Sequence, residues 1–109
     1  MEKLPLELKK NGFDYKQVKR TEKAAMYAQY MTGGTLLISY EVFLIQEQKE
    51  SDTVMWGKAI HYDNKELFPS DEAFGKTAWS FQGLERAEKF YEGISWMYSN
   101  PQIQYRFLF

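Results

Sequence analysis

The sequence predicts an α+β fold, an antiparallel β-sheet of four or five strands in a meander with one C-terminal helix packed on one face. Three observations carry the prediction. Residues 36–47 read LLISYEVFLIQE, with Leu36, Ile38, Tyr40, Val42 and Leu44 on one parity, the pattern of a long strand with one face in a core. From Leu84 to Tyr98, the residues Leu84, Ala87, Tyr91, Ile94 and Tyr98 fall on one helical stripe flanked by Phe90 and Met97. Eight Phe, eight Tyr and three Trp make 17% of the 109 residues, an aromatic content suited to a small β-rich core.

The elements follow in order. Leu4, Leu6 and Leu8 share a parity but Pro5 bars a central strand, so residues 1–12 read as an edge strand or extended arm closed by an Asn11-Gly12 turn. Phe13 to Arg20 is a strand with a weak pattern, since Phe13 and Tyr15 oppose Val18, which suggests a bulge or a mostly solvated face. Thr21-Glu22-Lys23 is a hairpin loop into a strand from Ala24 to Met31, and Thr32-Gly33-Gly34 turns into the long strand. Gln46 to Thr53 has no apolar residue and reads as an exposed loop. Val54 to Gly57 and Ala59 to Tyr62 are short apolar pieces, either a strand extension or loops pinned by Trp56 and Tyr62; Asp63-Asn64-Lys65 is a turn. Ser70 is a candidate cap for one helical turn carrying Asp71 and Glu72, held by Phe68 and Phe74 and stopped at Gly75. Lys76 to Phe81 is a short strand. Asn100-Pro101 ends the helix, and Gln102 to Phe109 alternates once more, with Ile103, Tyr105, Phe107 and Phe109 on one parity.

A chain of this length is expected to form a single domain, residues 1–109, large enough for a core without staples. The absence of cysteine excludes disulfides, thiolate metal sites and cysteine nucleophiles. No apolar run approaches a membrane span and the start has no signal-peptide core, so the expectation is a soluble, cytoplasmic protein without membrane contact. Net charge is −1, but unevenly placed. Residues 1–23 hold seven Lys/Arg against four Asp/Glu (+3), residues 24–75 three against eight (−5), and the remainder four against three (+1).

The stretches LPLELKKNGFDYKQVKR, YEVFLI, FPSDEAFGKTAWSF and LERAEKFYE, within residues 4–92, resemble small uncharacterised single-domain proteins of phages and mobile elements of gut-type bacteria. The resemblance is most distinctive from Phe68 through Gly75 to Trp79. It implies a compact domain of phage-like origin, and it carries no activity to this chain.

Catalytic signals are weak. His61 is the single histidine, and a metal there would need carboxylates such as Asp63 or Glu66; an ordinary surface histidine is the simpler reading. Glu66, Asp71 and Glu72 could pair for acid–base work, yet a capped helical turn explains Asp71 and Glu72. Gly33-Gly34 lacks the residues of a phosphate loop. The expectation is no enzyme and no cofactor or metal.

Two binding readings remain. The second face of the long strand is half apolar, so Phe43 and Ile45 need a cover. The alternating tail with Ile103, Tyr105, Phe107 and Phe109 could supply it, within the chain or in a homodimer, and otherwise a host protein would. The sequence is therefore read as a non-enzymatic binding module, a phage or mobile-element accessory protein that modulates or inhibits a host protein. The alternative is a single-stranded nucleic-acid binder using the basic N-terminal hairpin, with Lys9, Lys10, Lys16, Lys19 and Arg20 for phosphate and Tyr15 for base stacking.

Overall fold

A computed structural model describes residues 1–99. Its centre is a five-stranded antiparallel sheet in the order β1-β2-β3-β4-β9, built from β1 (Glu7–Lys10), β2 (Phe13–Arg20), β3 (Ala24–Met31), β4 (Leu37–Leu44) and β9 (Ala78–Phe81). The first four strands form the expected meander. β9 returns beside β4 after a long excursion, and the helix α1 (Leu84–Ser99) follows it.

The turns account for the register. Asn11 and Gly12 take φ of 54° and 82°, the left-handed pair that a two-residue hairpin requires, and this sets Lys10 opposite Phe13. Of the two readings open for β2, the structure has the bulge. The register shifts between Gln17 and Lys19, which expels Val18 and keeps Lys19 on the same face as Lys16. Thr21 closes the next loop by accepting the N–H of Lys23 and of Ala24 on its hydroxyl oxygen.

Each sheet face has its own cover. On one, Ala24, Met26 and Val42 pack against Ala87, Tyr91 and Ile94 of α1, with Tyr40, Leu44, Trp79, Phe81 and Phe90 around them. Tyr40, Val42 and Leu44 thus meet the helix as their parity predicts. Leu36 and Ile38 do not: both are exposed, because a second register shift, after Gln29, displaces the start of β4. On the opposite face, Tyr15, Ala25, Tyr27, Phe43 and Ala78 lie beneath Leu4, with Leu8, Phe13, Ile45, Phe68 and Ala73 packed alongside. Phe68 is the hub of an aromatic cluster, 4.9 Å from Tyr15, 5.2 Å from Tyr27 and 5.3 Å from Phe43 between ring centroids.

The excursion between β4 and β9 corrects the expected loop over residues 46–53. β5 (Gln46–Gln48) pairs with β8 (Lys65–Leu67), and β6 (Ser51–Met55) pairs with β7 (Lys58–Tyr62), so the chain runs out and back as a kinked two-stranded ribbon. Polarity misled here. A ribbon that covers no core needs no apolar face, so its first strand lacks the alternation by which a half-buried strand is recognised. The helical turn that follows is a single 3-10 turn, Asp71–Ala73. Ser70 precedes it without a side-chain cap, and Gly75 makes the left-handed stop at φ 88°.

Candidate interaction surface

Phe43 and Ile45 do not await a partner. Phe43 is fully buried and Ile45 half-buried beneath the chain's own N-terminal arm and the Phe68 loop, which corrects their assignment to a protein interface. The reason is the arm. Tyr27 donates its hydroxyl to Pro5 O at 2.5 Å, and Glu66 accepts the Leu4 N–H at 2.9 Å, which draws Leu4 onto the face the tail was expected to cover. Ile103, Tyr105, Phe107 and Phe109 lie outside the described residues.

The basic residues of the N-terminal hairpin divide between two faces, and most are engaged internally. Arg20 pairs with both oxygens of Glu66. Lys19 lies 3.6 Å from Glu88 and over the Tyr91 ring, and Lys10 donates to Pro69 O across the Phe68 ring. Tyr15 is buried against Phe68, so its ring cannot stack on a base. Lys9 and Lys16 remain on the helix-side face of β1 and β2. They share a shallow hollow of about 290 Å³ with Glu7 and Asp14, a balanced set with no excess charge to follow a phosphate backbone. Alternation in β1 and β2, with β2 interrupted by its bulge, scatters what the sequence places close together.

Two acidic side chains are buried, for opposite reasons. Arg20 holds the Glu66 carboxyl down at about 2, well below the usual range, with the Leu4 N–H and Lys3 adding to the effect. Among the described residues, no cation stands beside Glu41. Burial pushes its carboxyl up, and its Oε2 has no hydrogen-bond partner among the described residues. The Ser39 hydroxyl donates to Gln29 Oε1 at 2.8 Å and lies 3.3 Å from Glu41 Oε1, while Gln29 Nε2 donates to the Tyr15 hydroxyl at 2.9 Å. This chain of polar groups sits inside the second face. Among the described residues, no group of three His, Cys, Asp or Glu is placed to hold a metal ion.

His61 belongs to the ribbon. Its Nδ1 lies 2.6 Å from Asp52 Oδ1 and its Nε2 lies 3.3 Å from Asp63 Oδ1, and the bond to Asp52 raises its pKa above the ordinary histidine value. With both ring nitrogens facing carboxylates on an exposed surface, the imidazole is a charge balance within the ribbon.

The pin expected at Trp56 is instead the ribbon tip. Trp56 is 93% exposed, with Val54 at 73% and Met55 at 46% beside it, so it pins nothing to the domain. The turn is made by Trp56 and Gly57 at φ 57° and 75°. A two-residue loop ending in Gly between two short strands was the available signal, hidden because Trp stands where Asn is usual. The radius of gyration is 15.9 Å, against about 13 Å for a compact chain of this size.

Compared with known proteins, the chain matches no family model, no curated protein and no solved structure. Among the described residues, no helix is long and apolar enough to cross a membrane.

Proposed function

We propose that this chain is a non-enzymatic binding module that attaches to a host protein in the cytoplasm and modulates it by occupying its surface. The observation that carries the reading is the projecting ribbon with an apolar tip, Val54, Met55 and Trp56, which the described fold leaves uncovered. The resemblance to phage and mobile-element proteins supports an accessory role, with inhibition as the simplest consequence of occupying a surface. The nucleic-acid alternative loses support from the dispersal of Lys10, Lys19 and Arg20 onto internal partners.

Affinity capture with the immobilised full chain, alongside a variant with Val54→Thr, Met55→Thr and Trp56→Asn together, tests the reading. A protein retained by the wild type and lost from the variant is expected; no retained protein, or retention of the same set by both, counts against it. A fluorescent single-stranded oligonucleotide at low salt is expected not to bind. Salt-sensitive binding abolished by Lys9→Glu/Lys16→Glu would restore the alternative.

A further inference from the structure

We infer that the free edge of β1 pairs with the same edge of a second copy of the chain, antiparallel about a two-fold axis at Leu8, so that two five-stranded sheets become one continuous sheet. This edge shares no residue with the ribbon tip, and a dimer here stands or falls independently of the binding-module reading.

The two edges of the sheet are finished differently. At β9, Gly75 donates its N–H to Ala78 O at 2.7 Å and Phe74 bridges to Ala78, which closes part of that edge. At β1, no backbone group among the described residues does the same. Gln17 donates its N–H to Leu6 O, so by alternation Leu6, Leu8 and Lys10 turn their backbone groups to β2, and Glu7 and Lys9 turn theirs outward. Both outward residues are exposed. Their N–H and C=O groups form a short template for another strand.

Charge selects the occupant. Lysine on an edge ordinarily prevents self-pairing, because two copies bring like charges together. Here Glu7 shares the edge with Lys9 and changes that outcome. Outward groups can meet about a two-fold axis at Glu7, at Leu8 or at Lys9. The first sets carboxylate against carboxylate and the last sets ammonium against ammonium. About Leu8, Glu7 faces the partner's Lys9 and Lys9 faces the partner's Glu7, and each pair exchanges both backbone bonds.

These charges are not spent elsewhere. Asp14 and Lys16 stand opposite Lys9 and Glu7 on β2, yet Asp14 accepts the Gly33 N–H at 3.1 Å and Lys16 lies over the Tyr30 ring at 5.2 Å. Among the described residues, neither Glu7 nor Lys9 is in an ion pair. The same register gives a neighbour to Leu6, which is 72% exposed: it falls opposite the aliphatic stem of the partner's Lys10.

Sedimentation equilibrium of the full chain at low salt, from about 10 µM to about 1 mM, tests the pairing. A strand of four residues makes a small interface, so a monomer–dimer equilibrium with Kd on the order of 100 µM is expected, weakening as salt rises. Lys9→Glu sets carboxylate against carboxylate on both sides of the axis and should raise Kd at least about tenfold. Glu7→Lys/Lys9→Glu exchanges the charges and should return Kd to within about threefold of the wild type. Lys9→Pro removes an outward N–H and no bond to β2, so it should abolish the dimer while circular dichroism stays that of the folded chain. If that variant does not fold, the two charge variants decide alone. The pairing is overturned by a chain still monomeric at about 1 mM, by Lys9→Glu dimerising like the wild type, by an exchange variant that does not recover, or by a folded Lys9→Pro that dimerises. Val54→Thr/Met55→Thr/Trp56→Asn should dimerise as the wild type does; loss of the dimer there would place the contact on the ribbon and overturn it as well.

Discussion

Glu66 grips Arg20 with both carboxylate oxygens, Oε1 to Nη1 at 2.5 Å and Oε2 to Nη2 at 2.8 Å, while the same Oε1 accepts the backbone N–H of Leu4. Three segments far apart in sequence therefore meet at one side chain: the arm, the end of β2 and the root of the ribbon. Backbone bonds reinforce the junction, from Glu2 N–H to Asn64 O and from Glu66 N–H to Glu2 O.

Replacing Glu66 by Gln should destabilise the fold by ~2 kcal/mol near pH 7, less than for a fully dry ion pair because the site is partly hydrated. The sign follows from the carboxyl held at about 2 when folded and near 4.5 when unfolded. Its stabilisation is complete above pH 4.5 and is lost as pH falls toward 2. Urea denaturation at pH 7 and pH 2.5 should show the Glu66→Gln deficit at the first and most of it gone at the second. An equal deficit at both would assign Glu66 a packing role instead.

Glu41 predicts the opposite slope. Burial raises its carboxyl pKa, so its effect on stability is most favourable below the unfolded value of 4.5 and worsens as pH rises through the raised folded value. Glu41→Gln, which keeps the shape and removes the charge, should gain stability relative to wild type as pH goes from 4 to 8. Thermal melts at matched ionic strength measure it, and a gain that does not grow with pH would contradict the assignment.

Phe43 distinguishes a core from an interface. Truncation to Ala should cost roughly 3–5 kcal/mol, as for a fully buried aromatic, since its ring stacks on Tyr27 and meets Phe68. Chemical denaturation gives the number. A loss below about 1 kcal/mol would mean that the ring was not a fully packed core residue.

His61 can be read directly by NMR. Its pKa should lie above the ordinary histidine value and move down in Asp52→Asn, because the Asp52 hydrogen bond is the main cause of its elevation. An unchanged titration curve in the variant would place the cause elsewhere.

The parts of the fold legible in the sequence were those where burial imposes a period. Val42 and Leu44 announced the helix-side face, Ala87, Tyr91 and Ile94 announced the helix that covers it, and Asn11-Gly12 announced its turn. The misreadings have physical causes. Phe43 reads as needing a cover, from the chain or from a partner, because nothing local shows that Leu4 and Phe68, far away along the chain, close over it. Lys9, Lys10, Lys16, Lys19 and Arg20 are neighbours in sequence, but strand alternation and the bulge after Gln17 send them to two faces and to partners such as Glu66 and Glu88. The first half of the ribbon reads as a loop because hydrophobic alternation reports burial, and Ser51–Met55 is exposed throughout; the strand extension offered for 54–62 is closer to what the structure has.

That exposure also sets how the molecule is free to change. Residues 51–62 stand outside both core clusters and are joined to the body through β5 and β8, so the sheet is blind to what the ribbon carries at its end. Substitutions at Val42, Met26 or Tyr27 disturb a packed core, whereas those at Val54, Met55 and Trp56 disturb none. A body of this kind works as a chassis. Its twelve-residue hairpin could be exchanged for another of the same length while the folding of the body stayed as it is.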